Sequence, residues 1–147
     1  MTALVIVIAI CIVVALCLFF WSRKRAATRR DAIRTYADER QFNFLGNSVP
    51  SSLSLEISPF RSAENISSAF TGTGHEKEFV FFDCSMREGR TAYTQSVLAI
   101  HHLGGSYPAC RFDRDLRESH ASGDWTLIYH HHRAWSVGEI DAHVSSL

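Results

Sequence analysis

The sequence predicts an α+β protein that is held in a membrane by one N-terminal helix. Three observations support this: an apolar N-terminal run, a basic stretch directly after it, and strand-like segments that end in an amphipathic helix. We expect one transmembrane helix that continues into a juxtamembrane helix, then a mostly antiparallel sheet with a C-terminal amphipathic helix. The expected segments are 1–21 for the transmembrane anchor, 22–40 for the basic juxtamembrane helix and 41–147 for a cytosolic α+β domain.

The anchor is the stretch from Ala3 to Trp21, which reads ALVIVIAICIVVALCLFFW and holds no charged residue. As a helix it is about 28 Å long, which matches the hydrocarbon core of a bilayer. The alternative is a cleaved signal peptide, which has basic residues before the apolar run and a small-residue cleavage site after it. Here the basic residues follow the run, so an uncleaved anchor is favoured.

The basic stretch predicts the orientation of the anchor. Residues 22–40 hold seven Lys/Arg against three Asp/Glu, a net charge of +4, and positive residues stay on the cytoplasmic side of a membrane. We therefore expect the N-terminus outside and the domain in the cytoplasm. The contact with the lipid bilayer is assigned to an aromatic and a basic group, namely Phe19, Phe20, Trp21, Arg23, Lys24 and Arg25.

Composition argues against two classes of function. The anchor lacks every charged residue and His, Asn and Gln, the groups on which ion paths and proton relays depend in membranes. Residues 41–147 hold eight Lys/Arg against twelve Asp/Glu, a net charge of −4, which argues against nucleic acid as a partner. In a cytosolic setting Cys84 and Cys110 are expected to remain thiols.

The helix is expected to continue to about Arg40, because no Gly or Pro occurs before Gly46. Its inward side is predicted to hold Ile33, Tyr36 and Ala37. The strongest strand is 78–86, EFVFFDCSM, whose centre is apolar on both faces and therefore indicates a central position in the sheet. Further strands are predicted at 41–44, 65–71, 91–103, 107–112 and 125–132, with turns at 46–52, 72–74, 87–90 and 104–106 and an exposed loop at 113–124.

The C-terminal helix has the clearest local signal in the domain. Ser136 and Glu139 have the spacing of a capping box, and Trp135 is placed to pack on Ile140. Its apolar face is predicted to hold Val137, Ile140, Val144 and Leu147. We expect the juxtamembrane helix to cover one side of the sheet and this helix another.

Histidine is the only enriched residue type that could bind a metal or take part in catalysis. In a strand, His130 and His132 share a face, and together with His101 or His102 on a neighbouring strand they are weak candidates for metal ligands. The favoured alternative is a polar sheet face or edge, so no metal or cofactor is assigned.

A catalytic site is not expected. Cys84 and Asp83 are adjacent in a strand, so they point to opposite faces and cannot act as a dyad. The sequence also has no serine nucleophile elbow and no phosphate-binding loop in its usual strand–loop–helix context.

The order of segments resembles a loose group of uncharacterised bacterial single-pass membrane proteins with a small cytosolic α+β domain. The similar parts are the anchor, the basic helix, EFVFFDCSM paired with TQSVLAIHHL, then YPACRFDRD and the end GDWTLIYHHHRAWSVGEIDAHV. The proteins of that group have a longer stretch between RFDRD and GDW, where this chain has only Leu116–Gly123. The resemblance supports topology and fold only, and it implies no activity. The expected location is the bacterial inner membrane.

These observations predict a non-catalytic accessory or structural subunit of a larger bacterial inner-membrane complex, for example a respiratory or photosynthetic one. Its expected partners are the lipid bilayer and other integral membrane subunits. The alternative is a membrane-tethered ligand- or metal-binding module that uses the His-rich strands. An enzyme of unrecognised type is the least favoured hypothesis, because the parts of a catalytic site are missing.

Overall fold

A computed structural model of the protein describes residues 2–56, 60, 65–74, 76–101, 116–120, 125–130 and 132–147. The chain is an α+β protein, as predicted, with a long N-terminal helix, an antiparallel sheet and a short C-terminal helix. The elements are α1 Thr2–Glu39, β1 Asn43–Gly46, β2 Asn65–Gly74, β3 Lys77–Glu88, β4 Thr91–His101, β5 Leu116–His120, β6 Trp125–His130 and α2 Val137–Ser145.

Helix α1 is continuous over 38 residues, in agreement with the absence of Gly and Pro from this part of the sequence. It is long and apolar enough to cross a membrane, and its apolar half is not buried against the rest of the protein. Its last third packs on the sheet through the predicted residues Ile33, Tyr36 and Ala37, which are all buried. The helix ends where Gln41 adopts a left-handed conformation, with φ of 59°.

The six described strands form one sheet in the order β1-β2-β3-β4-β6-β5, and every neighbouring pair is antiparallel. Strand β3 lies inside the sheet and is buried on both faces from Phe79 to Cys84, which confirms the prediction from its apolar run. Because β3 alternates its side chains between the two faces, it contributes to both hydrophobic clusters of the domain.

Both helices pack on the same face of the sheet, so the prediction of one helix on each side is wrong. The hydrophobic cluster on this helix face includes Ile33 of α1, Ile140 of α2 and the even-numbered apolar residues of β4, such as Leu98. The opposite face is covered instead by the connection between β1 and β2, whose Leu53 and Phe60 are buried there. The ring of Phe60 meets that of Tyr129 at a centroid distance of 5.0 Å.

Two predicted non-strand segments contain strand structure. Residues 72–74 extend β2 instead of forming a turn, because Gly72 leaves room for the aromatic rings of Phe42 and Phe79. Within the predicted loop 113–124, Leu116–His120 forms β5 and pairs with β6. An edge strand tolerates charged side chains, so the polar sequence of this segment did not reveal it.

Other element boundaries differ by a few residues. Strand β1 lies at Asn43–Gly46, two residues later than predicted, and β6 ends at His130. His132 therefore lies in a turn, with φ of 59°, and not in the strand as expected. The capping box of Ser136 and Glu139 is confirmed. The predicted strand 107–112 and turn 104–106 lie outside the described residues.

We predict that Gly72→Ala destabilises the domain. A Cβ atom at this position would lie 2.5 Å from the ring of Phe42 and 2.8 Å from that of Phe79. Because both rings belong to the helix-face cluster, the overlap should lower the free energy of unfolding by about 2 kcal/mol, measured by urea denaturation in mild detergent with tryptophan fluorescence.

The matched control is Gly138→Ala in helix α2, where a Cβ atom meets nothing within 4 Å. Because alanine favours a helix over glycine, this variant should gain about 0.5–1 kcal/mol. A Gly72→Ala variant as stable as the wild type would contradict the packing described for β2.

Candidate functional site

The main polar site of the described domain is a buried contact between helix α1 and the sheet. Arg29 donates from Nε to Asp83 Oδ2 at 2.7 Å and from Nη2 to Asp83 Oδ1 at 3.0 Å. This two-pronged geometry is the strong form of an Arg–carboxylate pair. The side chain of Asp83 is 2% exposed and that of Arg29 is 28% exposed, so water weakens the pair little.

Ser96 and Trp135 complete this contact, and we call the four residues the Arg29 clamp. Ser96 Oγ donates to Asp83 Oδ1 at 2.6 Å and accepts from the backbone N–H of Trp135 at 2.8 Å. Arg29 also donates to Ser96 Oγ at 3.1 Å and to the backbone carbonyl of Trp135 at 2.6 Å. The clamp therefore joins α1 to β3, to β4 and to the entry of α2.

A second polar contact joins the two helices farther along α1. Asp141 on α2 accepts from the hydroxyl of Tyr36 at 3.1 Å and also from Arg40. Burial, together with the neighbouring Asp141 carboxylate, raises the pKa of Tyr36 to about 12. Tyr36 therefore remains an uncharged donor, and α1 is held at two positions about two turns apart.

The residues of the clamp were not identified from the sequence. Asp83 is the only charged residue in the buried stretch Phe79–Cys84 of β3, and a buried carboxylate needs a cationic or hydrogen-bonding partner. Arg29 precedes Ile33 and Tyr36 by four and seven residues, so it lies on their side of the helix. These two signals together point to a pair, although nothing local connects residues that are 54 positions apart.

Beside the clamp, three rings form a buried aromatic group. The indole Nε1 of Trp135 donates to Nδ1 of His130 at 2.6 Å, and His143 of α2 packs on Trp135 with ring centroids 4.2 Å apart. Because an indole N–H only donates, His130 must offer a lone pair at Nδ1. Burial is the main cause that lowers the pKa of His143, and the nearby His130 and Arg133 act in the same direction.

The structure separates the histidines that were weak metal candidates. His101 pairs with Trp125 at one end of the β4–β6 ladder, whereas His130 lies at the other end on the helix face. His132 contacts Glu88 at 2.8 Å and lies against the ring of Tyr93. His102 is outside the described residues. Within the described part of the chain, no three His, Cys, Asp or Glu side chains form a group able to hold a metal.

Cys84 lies on the face opposite Asp83, as predicted, and is buried. Its thiol donates to the backbone carbonyl of Gln95 at 3.6 Å. Burial, with a smaller effect of Asp83, raises the pKa of the thiol to about 12. The reactive thiolate is therefore scarce at neutral pH. Cys110 lies outside the described residues.

The predicted interface residues are all exposed on α1. The guanidinium of Arg23 lies 4.9 Å from the ring centroid of Phe19, and that of Arg25 lies 5.7 Å from Trp21. Such contacts between a cation and an aromatic face are favourable. Phe20 and Lys24 lie between them on the same two turns, so the aromatic and basic groups form a short collar around the helix.

We predict that Arg29→Met lowers the free energy of unfolding by about 3 kcal/mol, because it leaves the Asp83 carboxylate buried without its cation. Urea denaturation of the full chain in mild detergent measures the loss. The control is Arg34→Met on the same helix, whose pair with Asp38 is more than 60% exposed on both sides. That exposed pair should contribute less than about 1 kcal/mol, and equal losses in the two variants would contradict the clamp.

We predict that acid destabilises the domain through His143. Because its pKa in the folded state is below the ordinary value of 6.5, the unfolded chain binds the proton more readily. The stabilisation is therefore complete above pH 6.5 and is lost as the pH falls below that value. Thermal unfolding between pH 8 and pH 5 should show this loss, and His143→Gln should flatten it. His132→Gln, at an exposed position, serves as the control, and a Tm that rises towards pH 5 would refute the assignment.

Comparisons with known proteins do not place the chain in a family. No protein-family model matches it, and neither a curated protein nor a solved structure matches at a significant level. The resemblance to bacterial single-pass membrane proteins thus remains an expectation from the sequence.

Proposed function

We propose that this protein is a non-catalytic, single-pass membrane subunit that holds its domain in a fixed position within a larger membrane complex. A bacterial inner-membrane assembly, for example a respiratory or photosynthetic one, is the setting that we favour. The observation that carries the proposal is the Arg29 clamp. A simple tether needs no rigid joint, whereas this chain fixes its membrane helix to the domain through a buried, two-pronged ion pair.

Rigidity along the chain supports the same role. Helix α1 passes from its apolar half into the domain without a break. The clamp and the Asp141 contact restrain both its sliding and its rotation on the sheet. The domain is therefore held at a set height and direction relative to the apolar segment, which suits a part that must meet neighbouring subunits in one orientation.

The orientation that we propose places the N-terminus outside and the domain in the cytoplasm. The basic residues around Arg23–Arg25 follow the apolar segment directly, and positive charge is retained on the cytoplasmic side. The apolar half of α1 presents only apolar side chains, Thr2 apart, with no group for ion or proton transfer. Its partners are thus lipid and the apolar helices of other subunits.

The absence of catalysis is also part of the proposal. Cys84 and Asp83, the nucleophilic and acidic candidates of strand β3, are both engaged in structural contacts. The Cys84 thiol has a pKa of about 12, and the Asp83 carboxylate is held by Arg29 and Ser96. The separation of His101 from His130 gives no support to the alternative of a metal-binding module.

We predict that the tagged protein, extracted from its native membrane in mild detergent, co-purifies with integral membrane proteins in constant stoichiometry. The complex should be larger than the 16.6 kDa chain on native electrophoresis. Asp83→Asn, which breaks the clamp while the apolar segment stays intact, should reduce recovery of the partners at least severalfold.

The control variant is Gly138→Ala, which changes an open position on α2 and should retain the partners. Recovery of the wild-type protein as a free monomer under the same gentle conditions would overturn the proposed role. Equal recovery of partners with Asp83→Asn would show that the fixed joint is not needed for assembly.

A further inference from the structure

The direction of strand β3 relative to helix α1 is set by contacts at two levels. Arg29 binds Asp83, and Phe42, just beyond the end of α1, meets the ring of Phe79 at a centroid distance of 5.2 Å. Positions that increase along the helix therefore correspond to positions that decrease along β3. The strand runs back towards Trp21, the residue at which the apolar half of α1 ends.

Strand β1 gives an independent check of this direction. It pairs antiparallel to β2, which pairs antiparallel to β3, so β1 and β3 run the same way. Arg34 lies over the ring of Phe44 at 5.9 Å, and Arg30 lies against Gly46. Moving back along α1 towards the membrane thus means moving forward along β1, as it does along β3.

The hairpin between β3 and β4 is long enough to reach the membrane surface. From Asp83 to Glu88 the strand extends about 17 Å at about 3.3 Å per residue. From Arg29 back to Trp21 the helix rises about 12 Å at about 1.5 Å per residue. A strand inclined by about 45° to the helix still covers about 12 Å of that rise. At any inclination up to that angle, the tip of the hairpin, Arg87–Thr91, reaches the level of the collar formed by Phe19–Arg25.

The tip is exposed and presents basic side chains. Arg87, Glu88, Gly89, Arg90 and Thr91 are all exposed. The single acid among them, Glu88, is bound to His132, which lies in the turn after β6 at the same end of the sheet. Arg87 and Arg90 are exposed, as are the basic residues of the collar.

The described domain is polarised along this axis. At the far end five acidic residues face two basic ones, Arg40 and Lys77. At the near end, the charged side chains of the tip and of the segment around the start of α2 are Arg87, Arg90 and Arg133 against Glu88 and Glu139. The acidic residues of the far end are Asp38, Glu39, Glu76, Glu78 and Asp141. Such a distribution favours contact between the near end and a negatively charged surface.

We propose that the tip of the β3–β4 hairpin rests on the bilayer and that Arg87 and Arg90 bind the phosphate groups of anionic phospholipids. The domain then has a second contact with the membrane besides helix α1. Arginine suits this partner, because its planar guanidinium donates several hydrogen bonds to a phosphate. Each basic residue near an anionic surface contributes an attraction equivalent to about a fivefold change in affinity. The inference rests on the membrane insertion of α1 in the proposed function.

The test is amide hydrogen exchange of the full chain in nanodiscs, followed in peptides that cover residues 86–92. Discs that contain phosphatidylglycerol should slow exchange at the tip by at least about fivefold relative to phosphatidylcholine discs. The double variant Arg87→Glu/Arg90→Glu should lose this protection. Lys77→Glu, at the far end of the same strand, is the matched control and should keep it.

Three outcomes would overturn the proposal: equal exchange in both lipids, protection that persists in the double variant, or protection by inorganic phosphate in phosphatidylcholine discs. The amides of residues 4–21 report separately on the anchor. If these amides are protected while the tip exchanges freely, α1 is inserted and only the hairpin contact is refuted. If they exchange freely, the proposed membrane anchoring itself fails.

Discussion

The rest of the structure depends on the ion pair between Arg29 and Asp83. It joins a helix that begins in an apolar, unpacked segment to the interior strand of the sheet. A buried carboxylate is costly unless it is paired and hydrogen-bonded, and this one accepts from both Arg29 and Ser96. The pair therefore has a preferred geometry, and that geometry determines how the domain is oriented on its helix.

The clamp can orient the domain on its helix because different parts of the chain cover the two faces of the sheet. On the helix face, aromatic rings from β2, β3 and the end of α1 pack together, with Phe42 stacked on Phe70 at 5.7 Å. On the other face the cover comes from the connection between β1 and β2, through Leu53 and Phe60. The helices thus share one face, where α2 can reach α1, and the clamp joins α1 to the entry of α2 as well as to β3 and β4.

The sequence predicted the elements whose signals are local. An unbroken helix, an interior strand and a capping box each depend on residues within one segment, and all three are present. The faces of the sheet that the helices cover, strand β5 and the clamp were missed. They depend on pairing between distant segments: β5 is a charged sequence stabilised by the open edge of β6, and Arg29 meets residues up to 106 positions away. The separation of His101 from His130 was missed for the same reason, because the faces and ends that they occupy follow from strand register and not from composition.

The reach of the clamp to Trp135 has a consequence for the order of events during synthesis. Helix α1 is synthesised before its partners in the clamp, since Asp83 and Trp135 lie 54 and 106 positions after Arg29. Until Asp83 has been synthesised, Arg29 lacks its partner carboxylate and is one of the seven Lys/Arg of residues 22–40. Under the orientation proposed above, Arg29 therefore first adds to the positive charge that follows the apolar segment and later joins α1 to the finished domain.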